Sequence, residues 1–211
     1  MKNETESLED LKAIRKIMEE SGRFLSLSGL SGVFAGLTAI AGAMFAYFII
    51  LDNGSIQYNE YFRSLSQKET FPVRWQLIAD AAIVLLLSVL FSFYFSLKKA
   101  RKTGKSFRSP VSTRMLLNFL IPLVTGGIFI IALMAHNHVQ LIVPCFLIFY
   151  GLALVNAGKF TLGEVFYLGL LEIITGLVSV FIPGWGLIFW IFGFGLLHII
   201  YGLAMFRRYG A

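Results

Sequence analysis

Glu172, in the run LGLLEIITGL at 168–177, is the only Asp, Glu, Lys or Arg between Glu164 and Arg207. A carboxylate set so deep in apolar sequence must find a partner, face protein or keep its proton, because a charge at mid-bilayer costs at least about 2.5–3.5 kcal/mol. His198 is the partner the sequence offers. Counted from the Pro183-Gly184 turn, Glu172 stands 11 residues down one apolar run and His198 14 down the next, a depth difference of about 4.5 Å at 1.5 Å per residue. An acid and an imidazole so placed are expected to share one proton and titrate as a unit. Thr175, Ser179 and Tyr201 can extend the same polar seam. Two readings stand: a satisfied pair that locks two helices, or a proton-responsive or ligand-contacting site.

Other residues with chemical potential have simpler explanations. Asp80 lies about 9 Å along its run from Arg74 at 1.5 Å per residue, on the same side as His136 and His138. Together the three could ligate a metal, but an HxH in a wet turn is ordinarily a polar loop, so no metal is expected. Thr161-Leu162-Gly163-Glu164 reads as a capping box, which accounts for Glu164 without chemistry. TGKS at 103–106 is no phosphate loop, since Lys99 stands where the motif needs glycine. The motifs of zinc proteases, serine hydrolases and dinucleotide-binding proteins are missing too. Neither cofactor nor catalytic centre is expected.

The elements that must position these groups follow from composition. With 57% hydrophobic residues, 21 Phe and only 14% charged residues, the chain carries more apolar surface than one soluble core could bury. About 20 apolar residues cross a bilayer as a helix, and six stretches reach that length: Phe24–Leu51, Trp75–Leu97, Met115–Ala135, Val139–Ala157, Thr161–Ile182 and Trp185–Phe206. The expected fold is an all-α integral membrane protein whose six transmembrane helices form three antiparallel hairpins, since the later connections are too short for anything else. Its segments are 1–23, an amphipathic helix; 24–97, hairpin one with an outer loop at 52–73; 98–114, a basic connection; 115–157, hairpin two; 158–206, hairpin three; and 207–211, a tail. The first stretch resembles a signal peptide only at Ala41-Gly42-Ala43, and its leader carries six acidic against five basic residues, so it is read as a retained span. Cys145 is the single cysteine, which excludes a disulfide framework.

Charge sets orientation. The net charge of +6 does not point to nucleic acid, because KKARKTGKSFR at 98–108 has six basic residues and no acidic one directly after a span, where positive charge marks the cytoplasmic side. With that loop inside, fifteen Lys and Arg fall in the cytoplasm and only Arg63, Lys68 and Arg74 outside. Both termini are then cytoplasmic.

Three finer features stand out. SLEDLKAIRKIMEE at 7–20 reads as a short amphipathic helix with a Leu8, Leu11, Ile14, Met18 stripe, either lying at the bilayer surface or contacting a partner. Ser28, Gly32 and Gly36 recur at intervals of four, a row that permits close helix approach within one chain or between copies as a homo-oligomer. TGGIFII (125–131) with YGLAL (150–154) matches TGLVSVF (175–181) with YGLAM (201–205), offset by 50 and 51 residues. Hairpins two and three are therefore expected to be a parallel repeat about the membrane normal.

The last hairpin, LLEIITGLVSVFIPGWGLIFWIFGFGLLHIIYGLAMFRR, resembles the repeating hairpin of the bacterial acid-resistance membrane protein family through Gly176, Pro183, Gly195, Gly202 and Arg207-Arg208. IMEESGRFLSLSGLSG is similar to the opening of a group of uncharacterised bacterial polytopic membrane proteins. The first resemblance implies three hairpins and a stress-linked role without catalysis. Both imply the bacterial inner membrane.

The expected function is that of a non-catalytic inner-membrane protein of stress response or regulation, pH-responsive and acting through oligomeric or partner contacts in the lipid bilayer. The alternative is a proton-linked carrier or channel for a small solute. Orientation is directly testable: in a background lacking Cys145, a cysteine at Ser106 should label from the cytoplasmic side and one at Ser66 from outside. The opposite labelling would reject the charge argument.

Overall fold

A computed structural model describes residues 27–51, 67–102 and 109–209. The expected amphipathic helix at 7–20, most of the outer loop and residues 103–108 lie outside these described residues. Among the described residues there are helices and turns and no strand. Hydrocarbon leaves backbone N–H and C=O groups no water to bond, and a helix satisfies them within itself.

Among the described residues six helices are long and apolar enough to cross a membrane: α1, Gly29–Ile50; α2, Gln67–Lys102, of which Phe71–Lys102 is the apolar part; α3, Pro110–Ala135; α4, Ile142–Gly158, after a single turn at Val139–Leu141; α5, Gly163–Val180; and α6, Gly186–Tyr209. The chain is a multi-pass membrane protein. Two helices contain wider π-helical turns, at Ala46–Ile50 in α1 and Ile191–Leu197 in α6.

Several boundaries differ from the sequence expectation. α2 starts inside the expected outer loop and runs into the basic connection, while α6 continues to Tyr209 through the expected tail. Hydropathy marks only the part of a helix that needs lipid, and Lys and Arg are good helix formers that carry it onward. The Thr161 capping box is corrected too: α5 takes Leu162 as its N-cap, with no side-chain cap bond. α3 has the box instead. Ser109 Oγ accepts from Ser112 N at 3.1 Å and Ser112 Oγ from Ser109 N at 2.8 Å, ahead of Pro110 in the first turn.

The turn between α3 and α4 is closed by the α3 C-terminus. Asn137 takes a left-handed φ of 61°, its N–H reaches Met134 O, and His138 N reaches Leu133 O at 2.8 Å. This is the Schellman pattern, with Asn in the position usually held by glycine.

Packing between helices rests on glycine. On the α1–α6 contact, an added Cβ on Gly29 would lie 2.5 Å from Gly202 O and one on Gly202 2.6 Å from Gly29 O. Gly36 meets Gly195 O in the same way. α4 and α5 repeat the arrangement through Gly151 and Gly169, each facing the other's carbonyl at 2.6–2.7 Å. Backbones this close gain dispersion and weak Cα–H···O contacts that side chains would prevent. The Ser28, Gly32, Gly36 row is thus occupied inside the chain: Gly32 meets Tyr201 and Gly202, and Ser28 is buried.

α1 also packs on α2, α4 on α3, and α6 on α5. That leaves α2 and α3 at the periphery, with only 6% of the apolar window of α2 buried. Outward residues such as Ile121, Ile128, Ile131 and Phe181 are largely exposed to what would be lipid. Leu154, Val165, Leu168 and Leu197 form the apolar core between α4, α5 and α6.

Glycine packing generates a pair of contrasting substitutions. Gly202→Leu should lower the thermal midpoint of the detergent-solubilised protein, since overpacking costs about 1–3 kcal/mol. Gly127→Ala, with nothing within 4 Å of the new methyl, should raise it slightly by removing helical glycine. Equal midpoints for the two would contradict the close approach.

Candidate functional site

The helical period of α5 puts Val165, Leu168, Gly169, Glu172, Thr175, Gly176 and Ser179 on its buried face. Spacings of three and four make this one stripe, and Glu172 stands at its middle with no exposure at all. Against it lies the π-helical part of α6. An added Cβ on Gly193 would be 2.6 Å from Glu172 Oε2 and 2.5 Å from Leu147 Cδ2. The missing side chain of Gly193 is the space in which the carboxylate sits.

His198 closes the site. Its Nδ1 lies 3.3 Å from Glu172 Oε1 and 3.2 Å from the Gly193 carbonyl oxygen. The Gly193 carbonyl oxygen can only accept, which favours a proton on Nδ1. That N–H is aligned on Gly193 O, and the carboxylate stands beside it without the alignment of a hydrogen bond; neither Glu172 oxygen has one among the described residues. On the far side of the ring, Nε2 is 2.8 Å from the Tyr150 hydroxyl. A neutral His198 would accept from Tyr150 there, and a charged one would donate to it.

Chemically, the pair can hold the same proton in two ways, as carboxylate with imidazolium or as carboxylic acid with imidazole. Burial strongly disfavours an isolated charge. The two forms have equal net charge, so neither adds net charge to the interior. Around the polar atoms runs an aromatic wall. Tyr150 is 5.2 Å from Phe194, Phe194 4.6 Å from Trp190, and Trp190 5.9 Å from Phe146, measured between ring centres. Phe119 of α3 caps Tyr150 at 6.1 Å.

The remaining residues of the expected seam behave differently. Thr175 Oγ1 donates to Leu171 O at 2.8 Å and Ser179 Oγ to Gly176 O at 2.7 Å, so both hydroxyls bond their own helix. Tyr201 packs toward Gly32 and the apolar core. Sequence reasoning overlooked Tyr150. Its signal was available in the YGLA repeat, where an aromatic hydroxyl precedes each packing glycine.

The expected outer group is dispersed. Asp80 faces Gly42 of α1, whose added Cβ would be 3.5 Å from its oxygens. His136 and His138 lie exposed beside Asn137, which accepts from Arg74 Nη1 at 2.6 Å. Among the described residues no group of three metal-ligating side chains comes together. Glu164 is engaged at the other end of the bundle, accepting from Arg208 Nη1 at 2.8 Å and the Tyr209 hydroxyl at 3.0 Å.

Comparison with protein-family models, curated proteins and solved structures finds no match for this chain. Its function must be argued from the site.

The geometry gives Tyr150 a measurable part. Tyr150→Phe removes the one hydroxyl at His198 Nε2 and should cost about 1–2 kcal/mol of stability, as a buried polar atom losing its partner does. Paired with His198→Phe, Tyr150→Phe should cost far less in a double-mutant cycle read by thermal unfolding. Strict additivity would mean that the two side chains are not coupled.

Proposed function

We propose that this chain is a non-catalytic inner-membrane protein of stress response or regulation whose packing responds to pH through Glu172, His198 and Tyr150. The observation that carries the reading is a wholly buried carboxylate with no hydrogen bond among the described residues and a histidine nitrogen 3.3 Å away. Such a pair tolerates one shared proton. A second proton leaves a carboxylic acid beside an imidazolium, a buried charge without a counter-charge.

The response has a structural route. α1 with α6, and α4 with α5, are joined by backbone approach at glycine, whereas α5 meets α6 through side chains: Glu172 with His198, Glu164 with Arg208 and Tyr209, and Leu168 beside Leu197. Acidification loosens this side-chain seam. A second proton adds a charge that the packed seam cannot compensate, so acidification works against packing. The titratable groups facing Glu172 are His198 from α6 and Tyr150 from α4; α1 carries no charged residue over Gly29–Ile50.

In the same proposal the six spans form three antiparallel hairpins, the last two a parallel repeat, with both termini cytoplasmic. Support for the repeat comes from Gly151 and Gly202, which follow Tyr150 and Tyr201 and both enter close helix contacts. Support for the orientation comes from the basic residues at 98–108. The acid-stress setting rests on the resemblance of the last hairpin.

Trp190 reports on the seam, being 4.6 Å from Phe194 and bonded through Nε1 to Ala39 O at 3.3 Å. With Trp75 and Trp185 replaced by Phe, its fluorescence should change between neutral and acid pH. Glu172→Gln should flatten that change. Identical pH profiles in the two proteins would leave Glu172 as a helix lock only.

A further inference from the structure

The end of α2 is divided between two faces. Lys99 and Ala100 are buried, and Lys99 Nζ donates to Tyr209 O at 3.4 Å, which fastens α2 to the last turn of α6. Lys98, Arg101 and Lys102 are exposed. Positions i, i+3 and i+4 fall on one helix face, so these three cations form a single outward cluster. None of the three has a hydrogen bond or ion pair among the described residues. Asp80, more than four turns back, is the nearest acidic residue preceding them on α2.

Directly below the cluster the same face turns apolar. Tyr94 stands one turn before Lys98 and is 59% exposed, and Leu90 and Leu87 continue the line at 55% and 40%. α2 is the least buried span of the six, so this stripe faces lipid along its length. Tyrosine at such a level sits at the bilayer–water interface. The long stems of Lys and Arg carry their charges up to the headgroups.

We propose that this face of α2 is a binding site for an anionic phospholipid, its acyl chains along Leu87, Leu90 and Tyr94 and its phosphate held by Lys98, Arg101 and Lys102. Arg101 can take a phosphate in bidentate fashion while the two lysines supply point charge. A net-negative lipid is selected over a zwitterionic one because the three cations have no acidic partner among the described residues. Juxtamembrane cations each contribute a factor of about fivefold in affinity for anionic membranes. By way of Lys99 and Tyr209, a lipid held here would steady the α2–α6 contact independently of Glu172.

The test uses the full chain in neutral detergent. Titrating phosphatidylglycerol should raise its thermal midpoint and give a retained lipid in native mass spectrometry, and phosphatidylcholine should do neither. The triple variant Lys98→Gln, Arg101→Gln, Lys102→Gln should bind phosphatidylglycerol on the order of a hundredfold more weakly. High salt should weaken binding to the wild type in the same direction, which serves where the variant folds poorly. Equal effects of the two lipids, or equal phosphatidylglycerol binding by wild type and triple variant, would overturn the site. So would an equal stabilisation by inorganic phosphate, which would assign the cations to a free anion instead of a lipid.

Discussion

Hydrocarbon offers no hydrogen bond, and that constraint shapes every part of this protein. It favours a backbone that bonds to itself, as a helix does, and it obliges each polar side chain within a span to find its partner in protein. Thr175 and Ser179 meet the demand locally by bonding carbonyls of their own helix. Trp190 meets it across helices at Ala39 O. Glu172 meets it least completely: its oxygens lack hydrogen bonds and stand beside one histidine. A group left so incompletely satisfied is the place where a change in proton concentration has most leverage on packing.

The same environment explains why glycine carries the architecture. Lipid tails are as apolar as leucine, so apolar side chains gain little by meeting one another, and helices associate where backbones fit closely. Gly29 with Gly202, Gly36 with Gly195 and Gly151 with Gly169 supply that fit. Gly193 does something different. It leaves room for a carboxylate rather than for another backbone, and it does so within the π-helical stretch of α6. Wider helical turns of this kind recur at functional sites.

The middle and the last turn of α6 therefore serve separate tasks. Its middle presents Gly193 and His198 to α5 and Tyr150, and its last turn gathers Glu164 through Arg208 and Tyr209, and Lys99 through the Tyr209 carbonyl. One helix thus touches the buried acid Glu172, the half-buried acid Glu164 and the basic end of α2.

Much of this was legible in the order of residues. Membrane class and six apolar runs follow from composition and length, because the bilayer thickness fixes how many apolar residues a span needs. The nearness of Glu172 and His198 follows as well, since a turn as short as Pro183-Gly184 fixes the depths of both helices that leave it. Three matters were decided only by tertiary structure. Tyr150 meets His198 because α4 also packs against the middle of α6, a contact that no periodicity within α4 encodes. Gly32 and Gly36 face α6 rather than another chain, because a row of small residues states that something comes close without saying what. Asp80, His136 and His138 do not converge, because sharing one end of a bundle fixes depth but leaves rotation about each helix axis free. Hydropathy reports depth along the membrane normal, and only packing sets which way each face turns.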